Sequence, residues 1–178
     1  MNSVLAFLRQ PPPPHREARP RPAAARRAPR RQRLLACASG GGHWIELRRL
    51  RPAFGGLEVT YVSTLPTYAE TVPGNRYHCV PDTSRFDLAS LVPNMLRAAW
   101  IIARERPAFV VTTGSAPMLA FVLLGRLNGA RTLWIDSVAN SEHLSTSGRV
   151  AKRLAHRCIA QWPNVAADER IEHWGSVL

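Results

Sequence analysis

The sequence predicts an α/β protein built on one parallel, Rossmann-like sheet. Three observations carry that prediction. From Leu34 onward short apolar runs alternate with amphipathic stretches, the pattern of parallel strands joined by helices. Two of the runs, "RLLACAS" (33–39) and "FVVTTG" (109–114), pass directly into glycine turns that open helical patterns. The β-α-β order then holds to residue 162, so right-handed crossovers would assemble a single doubly wound sheet. With 178 residues, 46% of them apolar, the chain has enough material for one domain with a sizeable core.

Each element has a local reason. "RLLACAS" reads as a buried strand, and "HWIELRRL" (43–50) as a helix that stops before Pro52. "LEVTYVST" (57–64) is rich in β-favouring Val, Thr and Tyr, and "YHCV" (77–80) is a third strand. Leu88, Leu91, Val92, Met95, Leu96, Ala99, Ile102 and Ala103 follow helical spacing and are expected to face the core; Pro93 places the regular start of that helix near Ser90. After "FVVTTG", Pro117 opens a helix that Gly129 can close. "RTLWIDS" (131–137), "SGRVAKRLAHR" (147–157) and "CIAQW" (158–162) complete the series as strand, helix and strand.

The N-terminal part has another composition. Residues 9–33 hold nine Arg and seven Pro against one acid, Glu17, so +8 of the net charge of +12 lies there. Such a segment cannot bury enough apolar surface to offset its ordering entropy, and residues 1–32 are expected to be a disordered Arg/Pro-rich arm ahead of a domain at 33–178. The opening "MNSVLAFLRQPPPP" fits neither a signal peptide nor a membrane span. Cys37, Cys79 and Cys158 are scattered and form no disulfide framework, which suits a reducing, cytoplasmic compartment. An Arg-rich arm also fits a nucleic-acid-binding protein, the alternative reading. Against it, positive charge is concentrated in the arm, and the rest shows no helix-turn-helix, zinc or aromatic RNA-binding motif.

Strands of a doubly wound sheet end on one edge, where ligands bind. Three strand ends there carry chemistry: "SGGGH" (39–43), "TTGSAP" (112–117) and "IDSVANSEH" (135–143). Gly40, Gly41 and Gly42 allow backbone N–H groups to approach a phosphate or diphosphate at the start of the next helix; a plain tight turn is the competing account. The pattern is neither a dinucleotide fingerprint nor a nucleotide-hydrolase phosphate loop, since the required later Gly or Lys-Ser/Thr is absent. His43, as a neutral imidazole, can accept a proton from a substrate hydroxyl, or else merely packs at the turn. Gly114 and Ser115 offer a second anion-contacting turn, with N-capping by Ser115 as the alternative. Asp136 and Ser137 would project from a central strand end, where Asp136 orients His43, binds sugar hydroxyls, or holds a neighbouring loop. The remaining histidines have no metal-ligand spacing, so no metal is expected.

Taken together, "SGGGHWIEL", "VVTTGSAP", "LWIDSVANSEHLSTSGRV" and "CIAQWP" resemble the bacterial PssD-type polysaccharide glycosyltransferase subunits over residues 33–178. That family is related to the acceptor-side, membrane-recruiting subunit of the dolichol-pathway UDP-GlcNAc transferase, and MurG has a similar Gly-Gly-His turn in its N-terminal half. The resemblance implies the N-terminal half of a GT-B glycosyltransferase, inverting and metal-independent. It implies the acceptor-binding subunit of a two-component enzyme acting on a polyprenyl-diphosphate-linked sugar. The nucleotide-sugar donor, UDP-linked and a substrate rather than a cofactor, would be gripped by a separate PssE-type donor-binding partner. By position, Gly40 to Gly42, His43 and Gly114 match the family's turns, with His43 as base. Asp136–Ser137 stands where relatives have Glu-Ser, and Asn140 where many have Arg. A lipid acceptor also implies a place on the inner face of the plasma membrane, which the Arg arm would reach through anionic lipid. A sugar-nucleotide epimerase is set aside on length.

Overall fold

The computed structural model describes residues 2–9, 31–82 and 88–177. Seven parallel strands form one sheet: β1 (Arg33–Cys37), β2 (Glu58–Ser63), β3 (Arg76–Cys79), β4 (Phe109–Thr112), β5 (Arg131–Ile135), β6 (Arg157–Ala160) and β7 (Glu172–His173). Their order is β3-β2-β1-β4-β5-β6-β7, so the chain reverses its direction of travel across the sheet between β1 and β4. In register, Leu34 sits beside Val59 on one side and Phe109 on the other. The helices are α1 (Asn2–Arg9), α2 (Gly42–Arg49), α3 (Leu88–Glu105), α4 (Leu119–Leu127), α5 (Thr146–Leu154) and α6 (Pro163–Asp168).

Strand alternation divides the core into two layers. Leu34, Ala36, Phe109, Val111, Leu133 and Ile135 face Trp44, Leu47 and Leu50 of α2 and Val4, Phe7 and Leu8 of α1. On the opposite face Leu35, Cys37, Val110 and Trp134 pack against α3, α4 and α5 through Ala98, Ile101, Phe121, Val122 and Ala151. One close approach fixes the second layer: a Cβ on Gly125 of α4 would lie 2.7 Å from Val110 Cγ2.

Two expectations are corrected. Residues 1–32 do not form a uniform arm, because residues 2–9 are helical and three of their side chains join the core. The cause is tertiary: Phe7 meets Phe109 and Trp174 at centroid distances of 6.1 and 6.4 Å, on the sheet face that α1 shares with α2. The expectation of disorder for residues 10–30 lies outside the described residues.

The second correction concerns α3. It starts at Leu88, crossing Pro93, and of the expected core stripe Ile102 is buried while most of the rest turns away from the sheet. Val92, Met95 and Leu96 are exposed, with Trp100 beside them, whereas Asn94, Ala98, Ile101, Ile102 and Glu105 are buried; the side chain of Leu88 lies outside the described residues. Apolar residues lie on both the buried and the exposed side, so polar partners choose the face. Asn94 Nδ2 donates to the Pro117 carbonyl at 2.9 Å. Glu105 is met by His78 Nε2 at 2.9 Å and Arg76 Nε at 3.1 Å. The remaining elements fall within a few residues of expectation; the short α6 and β7 are additions. Among the described residues no helix is long and apolar enough to cross a membrane.

Candidate functional site

The chain reverses between β1 and β4, and a parallel α/β sheet opens a crevice at such a reversal, beyond the strand ends. The turn after β1 supplies one wall. Gly41 is the N-cap of α2 with φ 67°, a conformation that favours glycine, and it offers no capping side chain to the first-turn N–H groups. Gly41 and Gly42 are exposed and His43 is half-buried. A Cβ would meet nothing within 4 Å at Gly41 or Gly42, whereas at Gly40 it would meet Leu65 Cδ1 at 3.0 Å.

The turn after β4 supplies the other wall, and the two touch. His43 Nδ1 lies 2.9 Å from the Thr113 carbonyl, and Thr113 Oγ1 donates to the His43 carbonyl at 2.6 Å. A carbonyl only accepts, so Nδ1 carries the hydrogen and the neutral ring keeps its lone pair on Nε2. The imidazole lies over Gly114: a Cβ there would stand 3.0 Å from His43 Cε1, and φ at Gly114 is 116°. Ser115, expected as an anion contact or else as an N-cap, takes the N-cap position without making the capping bond. It holds φ 82°, a strained value for a residue with a Cβ, and its buried Oγ has no partner among the described residues.

The third strand end adjoins the same edge but does different work. Asp136 is 2% exposed. One of its oxygens accepts from Ser145 Oγ at 2.6 Å and Trp134 Nε1 at 3.2 Å. The other accepts from the Ser145 N–H at 2.9 Å and Asn140 Nδ2 at 3.1 Å. Gly148 lacks the Cβ that would come 2.5 Å from Asp136 Oδ1, so the first turn of α5 closes onto the carboxylate. The expectation that Asp136 orients His43 is therefore corrected: the Thr113 carbonyl does that, and Asp136 holds the loop over 137–145. Asn140, a departure from the resembled family, is one of its donors. Ser137, expected to bind substrate, donates from Oγ to Glu46 Oε1 at 2.7 Å and accepts from the Ala139 N–H at 3.3 Å.

Two site residues were missed from the sequence. Glu46 is 4% exposed, and its second oxygen accepts from Gln161 Nε2 at 2.7 Å, which ties α2 to β5 and β6. Its signal was an acid one turn after His43, between the buried Trp44 and Leu47. Tyr68 follows β2 in a 3₁₀ turn over Pro66–Thr71; its ring stacks on Trp44 at 4.8 Å, and its hydroxyl accepts the Gly41 N–H at 3.0 Å. "LPTYAE" gave no motif that placed this hydroxyl at the glycine turn.

A reversed parallel sheet with glycine turns on both sides of the reversal defines a Rossmann-like domain of the kind found in GT-B glycosyltransferases. Superposition agrees. MurG of Acinetobacter baumannii matches at TM-score 0.62 and 15% identity over 75% of this chain and 43% of that one. A UDP-N-acetylglucosamine 2-epimerase from Rickettsia bellii matches at TM-score 0.63 and 10% identity over 83% and 45%. These likenesses are of fold. In sequence the chain is similar to UDP-N-acetylglucosamine transferase subunit ALG14 of Cryptococcus neoformans, 28% identical over 61 residues, which are 34% of this chain and 27% of that protein. The ALG14 of Eremothecium gossypii is 36% identical over 52 residues, 29% and 23% of the two chains. The matched stretches thus span about a quarter of these relatives, and no family model matches the chain.

Proposed function

We propose that the protein is the acceptor-binding subunit of a two-component, inverting, metal-independent glycosyltransferase of polysaccharide or oligosaccharide biosynthesis, of the PssD type. The observation that carries this reading is the imidazole of His43, held over Gly114 by Thr113, with Nε2 as its proton acceptor beside the exposed Gly42 at the start of α2. The similarity to ALG14 and the MurG-like fold support it.

In this reading the diphosphate of a polyprenyl-diphosphate-linked sugar lies at Gly40 to Gly42, where first-turn amides and the positive helix end favour an anion. A second contact comes from Gly114 and Ser115. His43 Nε2 takes the proton of the acceptor hydroxyl as its oxygen bonds to the anomeric carbon of a nucleotide sugar, UDP-linked. The bond from that carbon to the diphosphate breaks, and the nucleotide diphosphate leaves with its electron pair, stabilised by a PssE-type donor-binding partner. Asp136, Ser137 and Glu46 position the walls. The complex works on the inner face of the plasma membrane, drawn there in part by the arginines of residues 10–31.

The test is transfer to a polyprenyl-diphosphate sugar by the purified complex of this chain with its donor-binding partner. His43→Ala is expected to lower turnover about 10²-fold to 10⁴-fold with the complex intact. Unchanged turnover would remove His43 as the base.

A further inference from the structure

An apolar groove opens on the same rim. Its walls are Leu91 and Met95 of α3, Leu119 and Leu123 of α4, and Val150 and Leu154 of α5, and it encloses about 290 Å³. At the rim it is bounded by Ala116, next to Ser115 of the second glycine turn, and by Thr146 and Ser147, which follow the Ser145 held by Asp136. Among the described residues no charged side chain lines it. Asn94, among its lining residues, donates to the Pro117 carbonyl, which ties α3 to the turn after β4.

The groove does not end at an ordinary polar surface. Met95 and Val150 at its mouth are 37% and 43% exposed, and the outer side of α3 continues with Val92, Leu96 and Trp100 at 61%, 67% and 46%. A contiguous apolar surface of this kind marks an interaction site. Cations border it: the guanidinium carbons of Arg97 and Arg104 lie 4.7 and 5.4 Å from the Trp100 ring centroid. An apolar strip with an interfacial Trp and Arg on one flank complements the boundary between acyl chains and anionic headgroups. A ligand with an anionic head at the glycine turns and a hydrocarbon tail would therefore pass through this groove on its way to the bilayer.

We infer that the α3–α4–α5 groove binds the head-proximal part of an isoprenoid chain whose diphosphate lies at the glycine turns. This rests on the reading above for the head, and a separate contact carries the tail. Each buried methylene contributes roughly fourfold in affinity, so three give about fiftyfold.

The test is calorimetric titration of the full chain with inorganic pyrophosphate and with farnesyl diphosphate. Farnesyl diphosphate is expected to bind about fiftyfold more tightly. The V150N/M95Q double variant changes two partly exposed positions without adding charge. In it that advantage is expected to fall below about fivefold while pyrophosphate affinity stays the same. Equal affinities in the unaltered protein, or an advantage that survives in the variant, overturn the groove. Farnesyl diphosphate binding that depends on the groove without any pyrophosphate binding supports the groove and removes the diphosphate site. Binding of neither removes both.

Discussion

Replacing Asp136 by Asn separates a positioning carboxylate from a catalytic one. All four groups around its oxygens are donors: Ser145 Oγ, Trp134 Nε1, the Ser145 N–H and Asn140 Nδ2. An amide keeps one oxygen and turns an NH₂ toward two of them. Two bonds are lost, both to a charged acceptor, and donors face each other in a site that is 2% exposed. Each buried donor left unpaired costs about 1–3 kcal/mol. Rotation of Ser145 Oγ or a flip of Asn140 recovers part of this, leaving about 3 kcal/mol. For a chain of this length each kcal/mol moves the midpoint by roughly 2–4 °C, so Tm should fall by about 6–12 °C in a circular-dichroism melt at pH 7.5. A Tm within about 2 °C of the unaltered protein, accompanied by lost transfer activity, would refute the positioning role and return Asp136 to the chemistry.

Three further outcomes follow from the same contacts. Gly114→Ala places a Cβ 3.0 Å from His43 Cε1 at φ 116°, so turnover of the complex should drop at least about tenfold as the imidazole moves; wild-type turnover would show that the ring has slack. His156 Nδ1 accepts from the Thr132 N–H at 3.2 Å, and burial, then Arg126 and Arg131, lower its pKa. The folded state thus favours the neutral ring: its contribution is complete above the unfolded value near 6.5 and is lost as pH falls toward the folded value. Tm should decline from pH 7.5 to 5.5, and less so in His156→Gln; an equal decline in both would contradict this. Finally, changing Arg16, Arg19, Arg21, Arg26, Arg27 and Arg30 to Gln should weaken binding to anionic vesicles about tenfold or more and flatten its salt dependence, as read by co-sedimentation. Unchanged, salt-insensitive binding would leave the apolar face of α3 as the anchor.

The sheet was legible because its strands are continuous apolar runs ending in glycine, and both turns at the reversal were placed from those runs alone. His43 was legible for the same reason. The group that orients it was not, since a backbone carbonyl at Thr113 leaves no trace in residue type. Asp136 was read toward the ligand because a charge count does not reveal that a loop nine residues on bends back to satisfy it. The sequence pattern of α3 misled because its most periodic apolar face is the one left exposed, and the buried polar pairs of Asn94 and Glu105 decided its rotation. The first helix escaped notice because eight residues before a proline run are stabilised by partners far along the chain, Phe109, Arg131 and Trp174 among them. Tyr68 depends on a 3₁₀ turn whose packing on Trp44 no local motif encodes.

In the proposed function the amides of Gly42 and His43, at the start of α2, receive a diphosphate. Titrating the ¹⁵N-labelled full chain with inorganic pyrophosphate and following backbone amide shifts tests it directly. The largest saturable shifts are expected at Gly42 and His43, with smaller ones at Gly41, whose N–H is held by Tyr68, and at Gly114 and Ser115. Shifts confined to the arginine-rich residues 9–33, or none at the glycine turns, would contradict it.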